Sequence, residues 1–190
     1  QETGTRINKY MSQCGYCSRR EADRLIEKGE VWINGTLATM GTKVMPGDTV
    51  MVHHTTITPC QKEYLLAFHK PAGIVCTTSK IDKNNVIDYL NFPERIYPVG
   101  RLDKESTGLL LLTNNGQLMD DVLRGSNYHE KEYIVHVNKP ITDSVLQAMA
   151  QGVPILDTIT RPCKIRRMGK DCFYITLTQG LNRQIRRMCE

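Results

Sequence analysis

The sequence predicts an α+β protein in two unequal parts: a small N-terminal unit of helices and a hairpin over residues 1–60, then a larger domain on a mixed or antiparallel sheet over residues 61–190. Three observations predict it. Ser18-Arg19-Arg20-Glu21 followed by an Asn34-Gly35 turn between apolar runs marks a capped helix leading into a hairpin. From residue 64 onward, apolar runs of strand length alternate with helical periodicity, and no solenoid repeat interrupts them. The apolar run 109–112 sits directly behind the polar, glycine-bounded stretch Gly100-Arg101-Leu102-Asp103-Lys104-Glu105-Ser106-Thr107-Gly108, as a core strand sits behind a working loop.

Taken in order, Ile7, Tyr10 and Met11 make a short helical stripe. Ser18 caps a second helix, Glu21 is expected to reach back to the cap, and Ala22, Leu25 and Ile26 face inward until Gly29 ends the helix. Val31-Trp32-Ile33 and Thr36-Leu37-Ala38 flank Asn34-Gly35 as a hairpin, and Pro46-Gly47-Asp48 turns the chain into a strand at 49–52. The polar stretch 53–62, with Thr55-Thr56 and Pro59, reads as a linker. Strands follow at 64–69, 109–112, 131–137 and 173–178. Helices are predicted at 117–124, at 141–149 behind Thr142-Asp143, and from Gln184 onward. The chain opens on Gln1 and stops at Glu190 inside that last helix, so the larger domain is expected to lack its C-terminal part.

Composition narrows the function. With 40% hydrophobic and 24% charged residues and no apolar run of bilayer length, a helical membrane span is excluded. Seven cysteines, odd in number and without framework spacing, point to reduced thiols and a cytoplasmic protein. Cys14-Gly15-Tyr16-Cys17 has the spacing of half a zinc site, but no second Cys/His pair lies nearby, so it reads as two small apolar side chains at a turn. The net charge of +5 gathers in three groups: Arg19, Arg20, Arg24 and Lys28, then Arg161 to Lys170, then Arg183, Arg186 and Arg187. Nucleic acid is the natural partner of such groups, and solvated surface is the alternative.

Asp103 is expected near the interior with Arg101 and Lys104 beside it in sequence, a plausible setting for a carboxylate that does chemistry; most loop aspartates instead cap a helix or close a turn. Arg101 and Asp103, two residues apart, point the same way on an extended segment. Tyr133 reads as a strand aromatic, and His129 and His136 as structural groups.

Two resemblances sharpen this picture. Arg6-Ile7-Asn8-Lys9-Tyr10, Cys17-Ser18-Arg19-Arg20-Glu21-Ala22 and Gly29-Glu30-Val31-Trp32-Ile33-Asn34-Gly35 resemble the "alpha-L" RNA-binding domain first known from a small-subunit ribosomal protein, which implies RNA contact through Lys9, Arg19 and Arg20. Further on come Lys70-Pro71-Ala72-Gly73, Tyr97-Pro98-Val99-Gly100-Arg101-Leu102-Asp103, His129-Glu130-Lys131-Glu132-Tyr133 and Gly180-Leu181-Asn182-Arg183-Gln184-Ile185-Arg186-Arg187-Met188. In this order they resemble the ribosomal RNA pseudouridine synthases of the RsuA family, RluF-like members above all.

That resemblance implies an enzyme that detaches uridine at N1, rotates it and rejoins it through C5, without cofactor or metal. It implies Asp103 as the catalytic aspartate, acting either as nucleophile or by proton abstraction from the sugar. Arg186 is implied as its paired cation and Tyr133 as the residue stacked on the target base. Arg101 would fill the space left by the flipped uridine, and Arg183 and Arg187 would line an RNA groove. Leu181 stands where many relatives carry a basic residue, which shifts weight to Arg186. The expected partner is ribosomal RNA, of the large subunit, bound by a monomer. A non-catalytic RNA-binding or ribosome-assembly factor that keeps the fold is the competing reading. A metal-dependent hydrolase comes third, for want of a ligand cluster.

Overall fold

The computed structural model describes residues 3–190. The chain divides into two compact units, the first ending at Met119 and the second spanning Asp120–Glu190.

The first unit opens with β1 (Thr5–Arg6), α1 (Ile7–Gln13) and α2 (Arg19–Glu27). Ile7 and Met11 of α1 are buried with Ala22, Leu25 and Ile26 of α2, as the periodicity predicts, and Asn8 donates to Asp23 at 3.0 Å across the pair. The Ser18 hydroxyl accepts from the Glu21 amide at 3.1 Å, closing the predicted cap. The second half of the predicted capping box takes another form: the Glu21 carboxylate turns outward and accepts from Arg24 at 3.2 Å. Exposed i, i+3 partners on a helix compete well with a return to the cap.

Next come β2 (Val31–Ile33), β3 (Thr36–Leu37), β4 (Lys43–Val44), β5 (Val50–Val52) and β6 (Thr55–Ile57). Strand β4 pairs with β1, and the others form an antiparallel sheet in the order β3-β2-β5-β6. Asn34 and Gly35 both adopt positive φ (48° and 78°), as a two-residue hairpin turn requires. Asp48 fastens that turn, accepting from Asn34 at 2.8 Å and from the Met45 amide at 2.7 Å. The two donors, backbone first, hold its carboxyl below the usual carboxylate range. Strand β6 corrects the linker reading of 53–62. His53 and His54 form a left-handed turn, β6 pairs with β5, and Ile57 enters the core. The polar pair Thr55-Thr56 lies on the exposed part of an edge strand, where hydrophobic alternation fails to mark it.

The same unit continues with β7 (Leu65–Lys70), α3 (Val86–Leu90), β8 (Tyr97–Val99), β9 (Gly108–Thr113) and α4 (Gly116–Leu123), the last crossing the division between units. The antiparallel order is β7-β9-β8. Cys76, Val86, Ile96, Leu110 and Leu112 form its core, so the predicted apolar run does back the polar loop. Asn85 caps α3, accepting from the Asp88 amide at 2.8 Å.

In the second unit, β10 (Lys131–His136) leads to α5 (Asp143–Gln151), capped by Thr142, whose hydroxyl accepts from Val145 at 3.3 Å. A small hairpin, β11 (Pro154–Ile155) and β12 (Thr158–Ile159), precedes β13 (Lys164–Gly169), β14 (Cys172–Leu177) and α6 (Gln184–Met188). The sheet is antiparallel in the order β10-β14-β13, and Leu146, Met149, Phe173, Ile175, Leu177 and Met188 pack its core. The basic group at 161–170, read from sequence as a charge cluster, largely builds β13. Arg167 donates to Asp143 (2.8 Å), to the Gly169 carbonyl (2.8 Å) and to the Ile141 carbonyl (2.6 Å), while Arg166 lies 4.1 Å from the centre of the Tyr174 ring.

Candidate active site

The Asp103 loop is held from behind through its main-chain carbonyls. Strand β7 delivers Lys70, which is 0% exposed, and its ammonium donates to three carbonyl oxygens: Pro71 at 2.7 Å, Ser106 at 2.8 Å and Lys104 at 3.1 Å. The Gly73 amide donates to the same Lys104 carbonyl at 2.8 Å, and the Ser106 amide closes a turn onto the Asp103 carbonyl at 2.9 Å. On the other side of Asp103, the Leu102 amide meets the Cys76 sulfur at 3.4 Å. Gly73 and Gly100 sit at φ +89° and +87°, a backbone that side chains with a Cβ rarely adopt, so Lys70-Pro71-Ala72-Gly73 and the approach to Arg101 turn as tightly as the loop needs. The outcome is a half-buried Asp103 beside an exposed Arg101.

The sequence reading missed Lys70. A lysine at a strand end ordinarily marks the surface, and only the packing shows that a buried ammonium pins the loop. The signal was Lys-Pro-Ala-Gly at a strand end, where a fixed turn would oppose another loop.

In the second unit, Tyr133 is half-buried on β10, opposite Ile175 and packed against the core cluster. Arg186 is exposed on α6. A clasp that sequence reading also missed sets the entry to that helix. Gln184, 4% exposed, accepts from the Leu181 amide at 3.1 Å and donates to Gln179 at 3.3 Å. The Gln179 oxygen also accepts from the Arg161 amide at 2.6 Å. Arg161 reaches the Thr178 and Gly125 carbonyls (3.1 and 3.3 Å) and lies 4.4 Å from the centre of the Tyr128 ring. Arg183 is exposed in a left-handed conformation at the start of α6, whereas Arg187 is half-buried and donates to the Asn182 carbonyl and side chain at 3.0 and 3.1 Å. His136 meets Cys172 at 3.7 Å.

Lys9, Arg19 and Arg20 are exposed on α1 and α2, with Arg24 further along α2 and Lys28 at its C-terminal cap. Cys14 and Cys17 pack against the core of the helix pair, and burial pushes each thiol up to about 11, so both stay protonated and apolar. Among the described residues there is no group of three or more His, Cys, Asp or Glu able to hold a metal ion, and no helix long and apolar enough to cross a membrane.

The family model described as RNA pseudouridylate synthase matches residues 64–190, and that of the S4 domain matches residues 5–50. The chain belongs to the RNA pseudouridylate synthase family. The pseudouridylate synthase match takes in every one of Asp103, Tyr133 and Arg186, and the S4 domain match takes in Lys9, Arg19 and Arg20. The chain is 52% identical to the dual-specificity RNA pseudouridine synthase RluF of Escherichia coli (strain K12) over 191 residues, covering 100% of this chain and 66% of that protein. It is 33% identical to the ribosomal large subunit pseudouridine synthase B of Bacillus subtilis (strain 168), covering 97% of this chain and 79% of the relative. A solved structure described as a pseudouridylate synthase superposes with a TM-score of 0.66 at 25% identity, covering 97% of this chain and 82% of that one. The chain thus spans about two thirds of the length of the RluF proteins it matches.

Proposed function

We propose that this pseudouridylate synthase family member isomerises uridine to pseudouridine in ribosomal RNA, of the large subunit, with Asp103 carrying the chemistry. The observation that carries the reading is the loop geometry: a carboxylate presented on a backbone fixed by Lys70, Gly73 and Ser106, beside an exposed guanidinium. Fixed presentation of a reacting group lowers the entropy cost of reaching the transition state. In the reaction the N1–C1′ bond of uridine breaks, the base turns, and a C5–C1′ bond forms. The C5 proton leaves to solvent and N1 gains one, so atoms balance without a cofactor. Asp103 acts as nucleophile or as base at the sugar. Arg186 supplies positive charge for the carboxylate, and Tyr133 stacks on the uracil. Arg101 takes the place of the everted nucleotide, since a planar guanidinium restores part of the lost stacking. Support for the large subunit comes from the relative in Bacillus subtilis, whose name carries it.

The test is tritium release from unmodified large-subunit ribosomal RNA carrying tritium at uridine C5. Release catalysed by this chain is expected. Tight binding without release would instead favour the non-catalytic RNA-binding factor.

RNA capture is assigned to the S4 domain through Lys9, Arg19 and Arg20, with Arg183 and Arg187 contributing near α6. Replacing Lys9, Arg19 and Arg20 together by Ala should weaken binding evenly across RNA sequences. It should also lower the slope of log affinity against log salt by about 0.7–0.9 per lost phosphate contact. All three side chains are exposed, so the melting temperature should stay put. An unchanged salt slope in a filter-binding titration would remove these residues from the interface.

A further inference from the structure

Between Cys76 and Asn85 the chain runs out in a loop whose tip carries Ile81, 94% exposed. Loop tips favour Gly, Asn, Asp and Ser, and an isoleucine here leaves nearly its whole apolar surface in water. The tip is nevertheless built. Val75 closes the base of the loop, donating to the Asn84 carbonyl at 2.8 Å and accepting from the Val86 amide at 2.9 Å. Asn85, 2% exposed, donates to the Asp82 carbonyl at 2.6 Å and to the Asp88 carboxylate at 2.9 Å. The Ser79 hydroxyl accepts from the Ile81 amide at 3.4 Å, and the Thr77 hydroxyl from the Ser79 amide at 3.1 Å. Ile81 thus stands exposed on a loop whose backbone is hydrogen-bonded at its base and along its approach. On either side stand exposed Lys80 and Lys83, with Asp82 between, which leaves the tip net positive.

This loop springs from the segment that braces the Asp103 loop, through Gly73 on the Lys104 carbonyl and Cys76 on the Leu102 amide. Resting on the RNA-modifying function above, we propose that Ile81 is a wedge that inserts beside a base next to the target uridine, with Lys80 and Lys83 on the adjoining phosphates. Apolar side chains that enter a base step unstack it locally, and prior unstacking lowers the cost of everting the neighbouring nucleotide. The net positive charge suits a polyanion such as RNA and disfavours a basic or neutral protein surface as the occupant.

The test uses the whole chain and unmodified large-subunit ribosomal RNA transcribed in vitro. Ile81→Ser should bind about tenfold more weakly and release tritium more slowly at subsaturating RNA. Its melting temperature should match the parent's, because the side chain is already in water. Ile81→Met, which keeps the apolar bulk, should stay within about twofold of the parent. Replacing Lys80 and Lys83 by Ala should lower the salt slope by about 0.7 per lysine. If Ile81→Ser binds and reacts like the parent while Asp103→Asn is inactive, the wedge is overturned and the function stands. If the parent itself neither binds nor modifies the RNA, the function falls and takes the wedge with it.

Discussion

Asp103→Asn should lower tritium release by about a thousandfold or more, while RNA affinity stays near that of the parent. The substitution changes one oxygen to an amide nitrogen and removes the negative charge. An amide neither attacks carbon nor accepts a proton from the sugar at neutral pH, so both routes open to the aspartate close together. Main-chain groups anchor the Asp103 loop: the Lys104 and Ser106 carbonyls held by Lys70, the Gly73 amide, and the Ser106 amide on the Asp103 carbonyl. Affinity should be spared because the residues assigned to phosphate contact lie elsewhere on the chain. The decisive comparison is single-turnover release at saturating RNA beside a filter-binding titration. Release within tenfold of the parent would remove Asp103 from the chemistry.

What could be read in the sequence is what is decided locally. The Ser18 and Thr142 caps, the Asn34-Gly35 hairpin and the left-handed end of α2 at Gly29 each depend on a few adjacent residues, and each formed. The strands at β7, β9, β10 and β14 carry enough apolar residues to be found within a residue or two of their ends. Strand β6 was missed because its polar residues sit on an edge, and β13 because its Lys164, Arg166 and Arg167 look like a charge cluster until the pairing with β14 is known.

The site divides in the same way. Asp103, Tyr133 and Arg186 emerged from motifs that match a family, because physics alone left a loop aspartate, a strand aromatic and a basic helix with bland alternatives. Lys70 and Gln179 were illegible for a different reason. Their partners lie 34 and 36 residues away for Lys70, and Gln179 takes its donor from Arg161, 18 residues back. Polar side chains are read as surface unless the backbone groups that satisfy them are known.

Lys70→Met carries the largest expected structural effect, and it should reach activity through the loop. Methionine keeps the length and apolar stem of lysine but offers nothing to the Pro71, Lys104 and Ser106 carbonyls. Hydrogen bonds from a charged donor contribute about 1.5–3 kcal/mol each, and carbonyls left buried without a donor add a penalty, partly offset because a desolvated ammonium also disappears. A net loss of about 3 kcal/mol is expected, which for a chain of this size lowers the melting temperature by roughly 6–12 °C. The Gly73 amide still holds Lys104 in the variant, so the loop should loosen more than it unfolds. Activity should then fall in kcat more than in KM, since Asp103 spends less time in its working position while phosphate contacts are kept. Calorimetry with steady-state tritium release separates the two effects. Lys70→Arg should not rescue, because a larger planar head has no room at a site with 0% exposure. A Lys70→Met protein that melts and turns over like the parent would mean that the ammonium does not hold the loop.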